Sequence, residues 1–198
     1  VKKERMMFRP CILFLVLGVM SVAQASNLPK NFVDSTTLPG FHAAVQAAGG
    51  KVMFPNAVLK KSAIYLAGEQ NHQGGYTLYL NYTEDCGVAA YCNLGHLTVQ
   101  AATGPLTLYR NQAKELMTQK IILQNGILAT YTQGYAMADY WPPHLDWISQ
   151  GMLYRLTYRD AGQRDLVWMA NHMQPFNLSV QSANQKSSAL SPVRVSQT

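Results

Sequence analysis

Cys86 and Cys92 are six residues apart, near the middle of a chain with only one other cysteine, Cys11. An isolated close pair of this kind reads as a disulfide closing a small loop in an oxidising compartment. Redox exchange would favour Cys-x-x-Cys and haem attachment needs Cys-x-x-Cys-His, and neither pattern occurs. Cys86, Cys92 and His96 together lack a fourth ligand, so no metal and no cofactor is expected. The five histidines, His42, His72, His96, His144 and His172, are scattered without ligand spacing. Carboxylates are few. Asp139 and Asp146 bracket the run Trp141-Pro142-Pro143-His144, and such a pair would suit glycoside hydrolysis at the right separation. Asp146 reads equally well as the polar face of a strand. The chain has no Gly-x-Ser-x-Gly elbow, no His-Glu-x-x-His, no Walker A loop and no Gly-x-Gly-x-x-Gly, so no catalytic residue is assigned. Tyr140, Trp141 and His144, in a loop stiffened by two prolines, form the candidate binding surface. Exposed aromatics on such a loop would suit an envelope protein, a glycan or a lipid.

The start of the chain explains the cysteine arithmetic. Lys2, Lys3, Arg5 and Arg9 form a basic region, Cys11 to Met20 is almost wholly apolar, and Ala23-Gln24-Ala25 has the small-x-small pattern of a signal peptidase site. Cleavage is expected between Ala25 and Ser26, and it removes Cys11. The apolar run is shorter than the roughly 20 residues a membrane span requires. Val1 is read as a GUG start, with Met6 or Met7 as alternatives, which points to a bacterium. Losing four basic residues and Glu4 lowers the formal charge from +6 to +3. That mild charge argues against nucleic acid as a partner. No later segment has the length and hydropathy of a membrane span, so a periplasmic or secreted protein without a transmembrane segment is expected.

Elements that would position these residues follow from hydrophobic period and turn chemistry. After the signal (1–25), residues 26–50 are a weakly patterned lead-in with a short helix over 41–48. A single domain is expected over 51–176, and residues 177–198, rich in serine, read as a mobile tail. The folded body is expected to begin with Lys51-Val52-Met53-Phe54, and strands are predicted at 63–67, 76–82 and 95–100 from alternating or apolar runs. Asn125-Gly126 predicts a hairpin with a type I′ turn between 120–124 and 127–131. A second hairpin, 145–148 with 152–158, turns at Ser149-Gln150-Gly151. In its second strand Met152, Tyr154, Leu156 and Tyr158 face one way, Leu153, Arg155 and Thr157 the other. A closing helix is predicted with Asp160 as cap and Gln163 as its capping-box partner. Leu166, Met169, Ala170 and Met173 share its apolar face, and Pro175 marks its end. The predicted fold is α+β, a single antiparallel sheet of about six to eight strands with the C-terminal helix packed on one face.

Gly126, Trp147, Gly151, Tyr154 and the pair Leu166 with Ala170 make up a pattern of Gly strand, Trp strand, Gly turn, Tyr strand and Leu-x-x-x-Ala helix. In this the stretch from Gly126 to Met173 resembles the C-terminal part of a family of exported bacterial domains of unknown function. The Tyr79 strand leading into Cys86-x-x-Ala89-x-x-Cys92 looks similar to its single-domain members. The resemblance implies an antiparallel sheet with a packed C-terminal helix and implies no activity. The function expected from the sequence is therefore an exported, non-catalytic envelope module that binds a protein or other ligand. The alternatives are a carrier of lipid or another hydrophobic ligand, marked by a cavity lined with Met and Tyr between sheet and helix, and a small hydrolase of unfamiliar design. The hydrolase would need His144 or Asp146 among polar groups converging in one cleft.

Overall fold

A computed structural model describes residues 28–72, 74–86, 90–104, 118–134 and 142–178. Along the chain run β1 (Phe32–Asp34), α1 (Phe41–Ala47), β2 (Lys51–Pro55), β3 (Ala57–Leu59), β4 (Tyr65–Gln70), β5 (Tyr76–Asn81) and β6 (Asn93–Ala101). They are followed by β7 (Thr118–Ile122), β8 (Leu128–Thr132), β9 (His144–Ser149), β10 (Met152–Tyr158), α2 (Gln163–Asn171) and β11 (Met173–Asn177). Seven strands form one antiparallel sheet in the order β4-β5-β6-β10-β9-β8-β7. The α+β class and the large sheet agree with the sequence reading. The expectation of a single sheet needs correction, because β1 pairs with β3 and β2 with β11 in two separate ribbons.

The alternation of β10 works as a ruler for the whole sheet. Tyr154, Leu156 and Tyr158 join the core cluster, while Arg155 and Thr157 point away from it. Across the strands the core face reads Leu78, Leu97, Leu156, Leu145 and Tyr131 in one row. Tyr76, Val99, Tyr154, Trp147 and Ala129 make the next. Trp147 and Tyr154 stack there with ring centroids 5.1 Å apart, an arrangement that adds to their area burial. Leu166, Met169 and Ala170 of α2 bury into the same cluster as expected, whereas Met173 lies only partly buried in β11. Phe32, Leu38, Phe41, Ala44 and Val45, from the stretch read as a weakly patterned lead-in, also belong to this core.

Tyrosine hydroxyls tie the ribbons to the sheet. Tyr158 donates to the Leu59 carbonyl at 2.6 Å. Tyr76 accepts from the Met53 N–H at 2.7 Å and donates to the Met53 carbonyl at 2.8 Å. Both phenols are thereby satisfied where burial would otherwise be costly.

Three local predictions are corrected. At Asn125-Gly126 only the glycine takes positive φ (73°), and Leu123 N–H donates to Ile127 O across a three-residue loop. That is the geometry of a type I turn closed by a left-handed glycine, not a type I′ turn. Asn171, at the end of α2, accepts the Gln124 N–H at 2.9 Å and so takes up a donor that a two-residue turn would direct across the hairpin. The type I′ turn sits instead at Gln150-Gly151, with φ of 51° and 74° and Ser149 paired with Met152.

The helix cap also moves. Asp160 occupies a left-handed turn (φ 59°), and Gly162 stands at the N-cap with its N–H donated to Asp165 Oδ2 at 3.0 Å. The helix then ends before Pro175 does anything. His172 stacks on Trp168 with centroids 4.0 Å apart and its Nδ1 lies 2.8 Å from the Trp168 carbonyl, so the side chain occupies a helix-end acceptor. Pro175 falls within β11, where a short ribbon tolerates a missing N–H.

Candidate functional site

His144 opens β9 on the face of the sheet turned away from the core, directly opposite Thr157 of β10 and Thr132 of β8. Tyr140 and Trp141, proposed with it as a binding surface, lie outside the described residues, as does Asp139. The Asp139–Asp146 separation, on which the glycosidase idea turned, therefore has no value here.

Register assembles the rest of the cluster. One row across the seven strands reads Ala67, Tyr79, His96, Thr157, His144, Thr132 and Thr118. The next reads Glu69, Thr77, Thr98, Arg155, Asp146, Thr130 and Lys120. Strand alternation dictates that these side chains share a face. The pairing of β6 with β10 brings His96 beside Thr157 from 61 residues earlier in the chain.

At the centre sits a clasped ion pair. Asp146 is only 6% exposed, and Arg155 holds it with two parallel bonds, Nε to Oδ1 and Nη2 to Oδ2, both 2.8 Å. This fork-to-fork geometry is the strongest form of the interaction, and Asp146 raises the Arg155 pKa above its ordinary value. His144 Nε2 lies 3.8 Å from Asp146 Oδ2, too far for a hydrogen bond. Burial pushes the His144 imidazole below its usual pKa, and the Arg155 cation adds to this, against the opposing pull of Asp146 and the Pro142 carbonyl. His96 is pushed down to about 4, first by burial and then by Arg155 and His144. Both imidazoles are neutral at neutral pH, each keeping one donor and one acceptor nitrogen. At the β4 side, Tyr79 donates to Glu69 Oε1 at 2.6 Å, and burial with the Glu69 charge raises the phenol to about 12.

Asp146 is thus the polar face of a strand, as one of its two sequence readings had it, and its carboxylate is committed to Arg155. Sequence reasoning missed His96, Tyr79 and Glu69 as companions of His144. The alternation of β5 and β6 assigns each to a face, but nothing local says that β6 lies against β10. No group of three or more His, Cys, Asp or Glu side chains among the described residues could hold a metal ion.

Cys86 and Cys92 form the expected disulfide, with Cα atoms 5.9 Å apart. Each ends a 3-10 turn, Glu84–Cys86 and Ala90–Cys92, and Tyr82 N–H donates to Cys92 O at 3.0 Å. The bridge closes the link from β5 to β6 next to the register shift at Leu80 and Asn81. It holds Tyr91 outward, 83% exposed. No helix among the described residues is long and apolar enough to cross a membrane. No family model, curated protein or solved structure matches this chain.

Proposed function

We propose that this is an exported, non-catalytic envelope module, periplasmic or secreted, that binds a protein, glycan or lipid partner on the outer face of its sheet around His144. The observation that carries the reading is the state of the polar cluster. Its buried carboxylate is clasped by a bidentate arginine, and burial lowers the pKa of both imidazoles, that of His96 to about 4. General acid–base chemistry needs a group poised to change protonation near the working pH. This cluster is built for a fixed pattern of donors and acceptors on a rigid sheet, which suits recognition. Export is supported by the three-part start of the sequence and by a disulfide that requires an oxidising compartment.

The hydrolase reading draws on the same place, since His144 and Asp146 do meet there, yet the Arg155 clasp occupies both carboxylate oxygens. Against the carrier reading stands the packing between sheet and helix, where Leu145, Leu156, Tyr158, Leu166 and Met169 are fully buried in one cluster. The test is affinity capture from envelope extract using the chain from Ser26 onward, beside His144→Ala and Trp141→Ala forms. The wild type should retain a partner that both variants lose. Identical capture by all three, or none by any, would remove the outer face from consideration.

A further inference from the structure

Among the described residues strands β4 and β7 end the sheet, and the fold treats them differently. β4 is covered: its outward Leu66 N–H donates to Pro39 O at 2.9 Å, and Gly68 lies so close under Ala44 of α1 that a Cβ would meet its carbonyl. β7 has no such cover among the described residues. The Leu123 N–H to Ile127 O bond sets its phase, so that residues 119 and 121 pair toward β8 while Thr118, Lys120 and Ile122 turn their backbone groups outward. Ile122 is 74% exposed and its cross-strand neighbour Leu128 is 52% exposed. They continue an apolar ridge that runs inward through the Ile148–Leu153 pair on the same face. Lys120 stands two residues from Ile122, exposed, on that face too.

We propose that β7 is a docking edge for an extended peptide of a partner protein, one carrying an acidic residue and an apolar residue two positions apart. Main-chain bonds to the outward groups of Lys120 and Ile122 would add an eighth strand, the mode in which backbone supplies affinity and alternate side chains supply choice. The acidic residue meets Lys120 and the apolar one extends the ridge beyond Ile122. Lysine on an edge commonly guards against indiscriminate pairing. A second copy aligned antiparallel about Lys120 would set ammonium against ammonium, which is destabilising, whereas a carboxylate at that position is favoured. The guard is thus a selector for opposite charge. This surface lies at the sheet's edge and does not depend on the outer-face reading around His144.

The probe is an end-blocked heptapeptide, Thr-Val-Thr-Glu-Thr-Val-Thr, which offers the pattern in either strand direction, with a control in which lysine replaces the glutamate. Backbone amide shifts of the mature chain are followed by nuclear magnetic resonance during titration. The glutamate peptide should shift the amides of Lys120 and Ile122 and bind roughly fivefold more tightly than the control. Lys120→Glu, an exposed change that leaves the core intact, should invert that preference. No shift along 118–122, shifts confined to the surroundings of His96 and His144, equal binding of both peptides, or concentration-dependent self-association through β7 would each overturn the proposal. Shifts confined to the histidine face would at the same time favour the outer-face reading, so the two proposals fail separately.

Discussion

Replacing Arg155 with methionine keeps much of the apolar stem but leaves the Asp146 carboxylate without its two 2.8 Å donors. The side chain of Asp146 is 9% exposed and that of Arg155 27%, so the arginine is the more solvent-exposed partner. Breaking a buried pair by removing one partner costs about 3–5 kcal/mol, and partial solvation on the arginine side places this case near the lower end, about 3 kcal/mol. For a domain of this size that lowers Tm by roughly 6–12 °C. Asp146→Asn should be milder, about 1–2 kcal/mol, because the cation left behind can turn toward solvent. Arg155→Met combined with Asp146→Leu should recover most of the loss, since no buried charge remains. Urea denaturation of the wild type, Arg155→Met, Asp146→Leu and their double variant closes the cycle, with Asp146→Asn measured beside it. If Arg155→Met stays within about 1 kcal/mol of wild type, or the double variant is no better than the single, the clasp does not organise the outer face.

Acid should weaken the fold through the histidines. His96 falls from 6.5 to about 4 on folding and His144 is also lowered. The stability the two histidines contribute is therefore fully present above pH 6.5 and lost as pH drops toward 4, because the unfolded chain takes up protons the folded one refuses. From pH 7 to 5 the loss attributable to His96 is on the order of 2 kcal/mol; urea midpoints should show this, and His96→Gln should flatten the dependence. At the type I′ turn Gln150 holds positive φ without being glycine. Gln150→Asn should raise stability by about 0.5–1 kcal/mol, and an unchanged or lower melting temperature would contradict that assignment. Breaking the bridge with Cys86→Ser and Cys92→Ser together should cost less than about 3 kcal/mol, as befits a short loop. Non-reducing mass spectrometry of exported protein should find no free thiol at either position.

Period and turn chemistry determined a good deal of this protein unaided. The division of β10 into a core face and a polar face, both hairpins, the apolar stripe of α2 and the Cys86–Cys92 pair were legible because each depends on residues within one turn or one strand of each other. What tertiary structure alone decided lies at longer range. Asn171 in α2 braces the loop at Asn125-Gly126, and the type I′ turn is found at the less favourable Gln150-Gly151. His172 ends a helix that Pro175 was expected to stop, and β2 then draws the following residues into a ribbon. Above all, β6 pairs with β10, not with the strand that follows it. Alternation settles which face a side chain takes but is silent on which strand lies alongside. Only that non-local pairing sets His96 against Thr157 and, one strand on, His144.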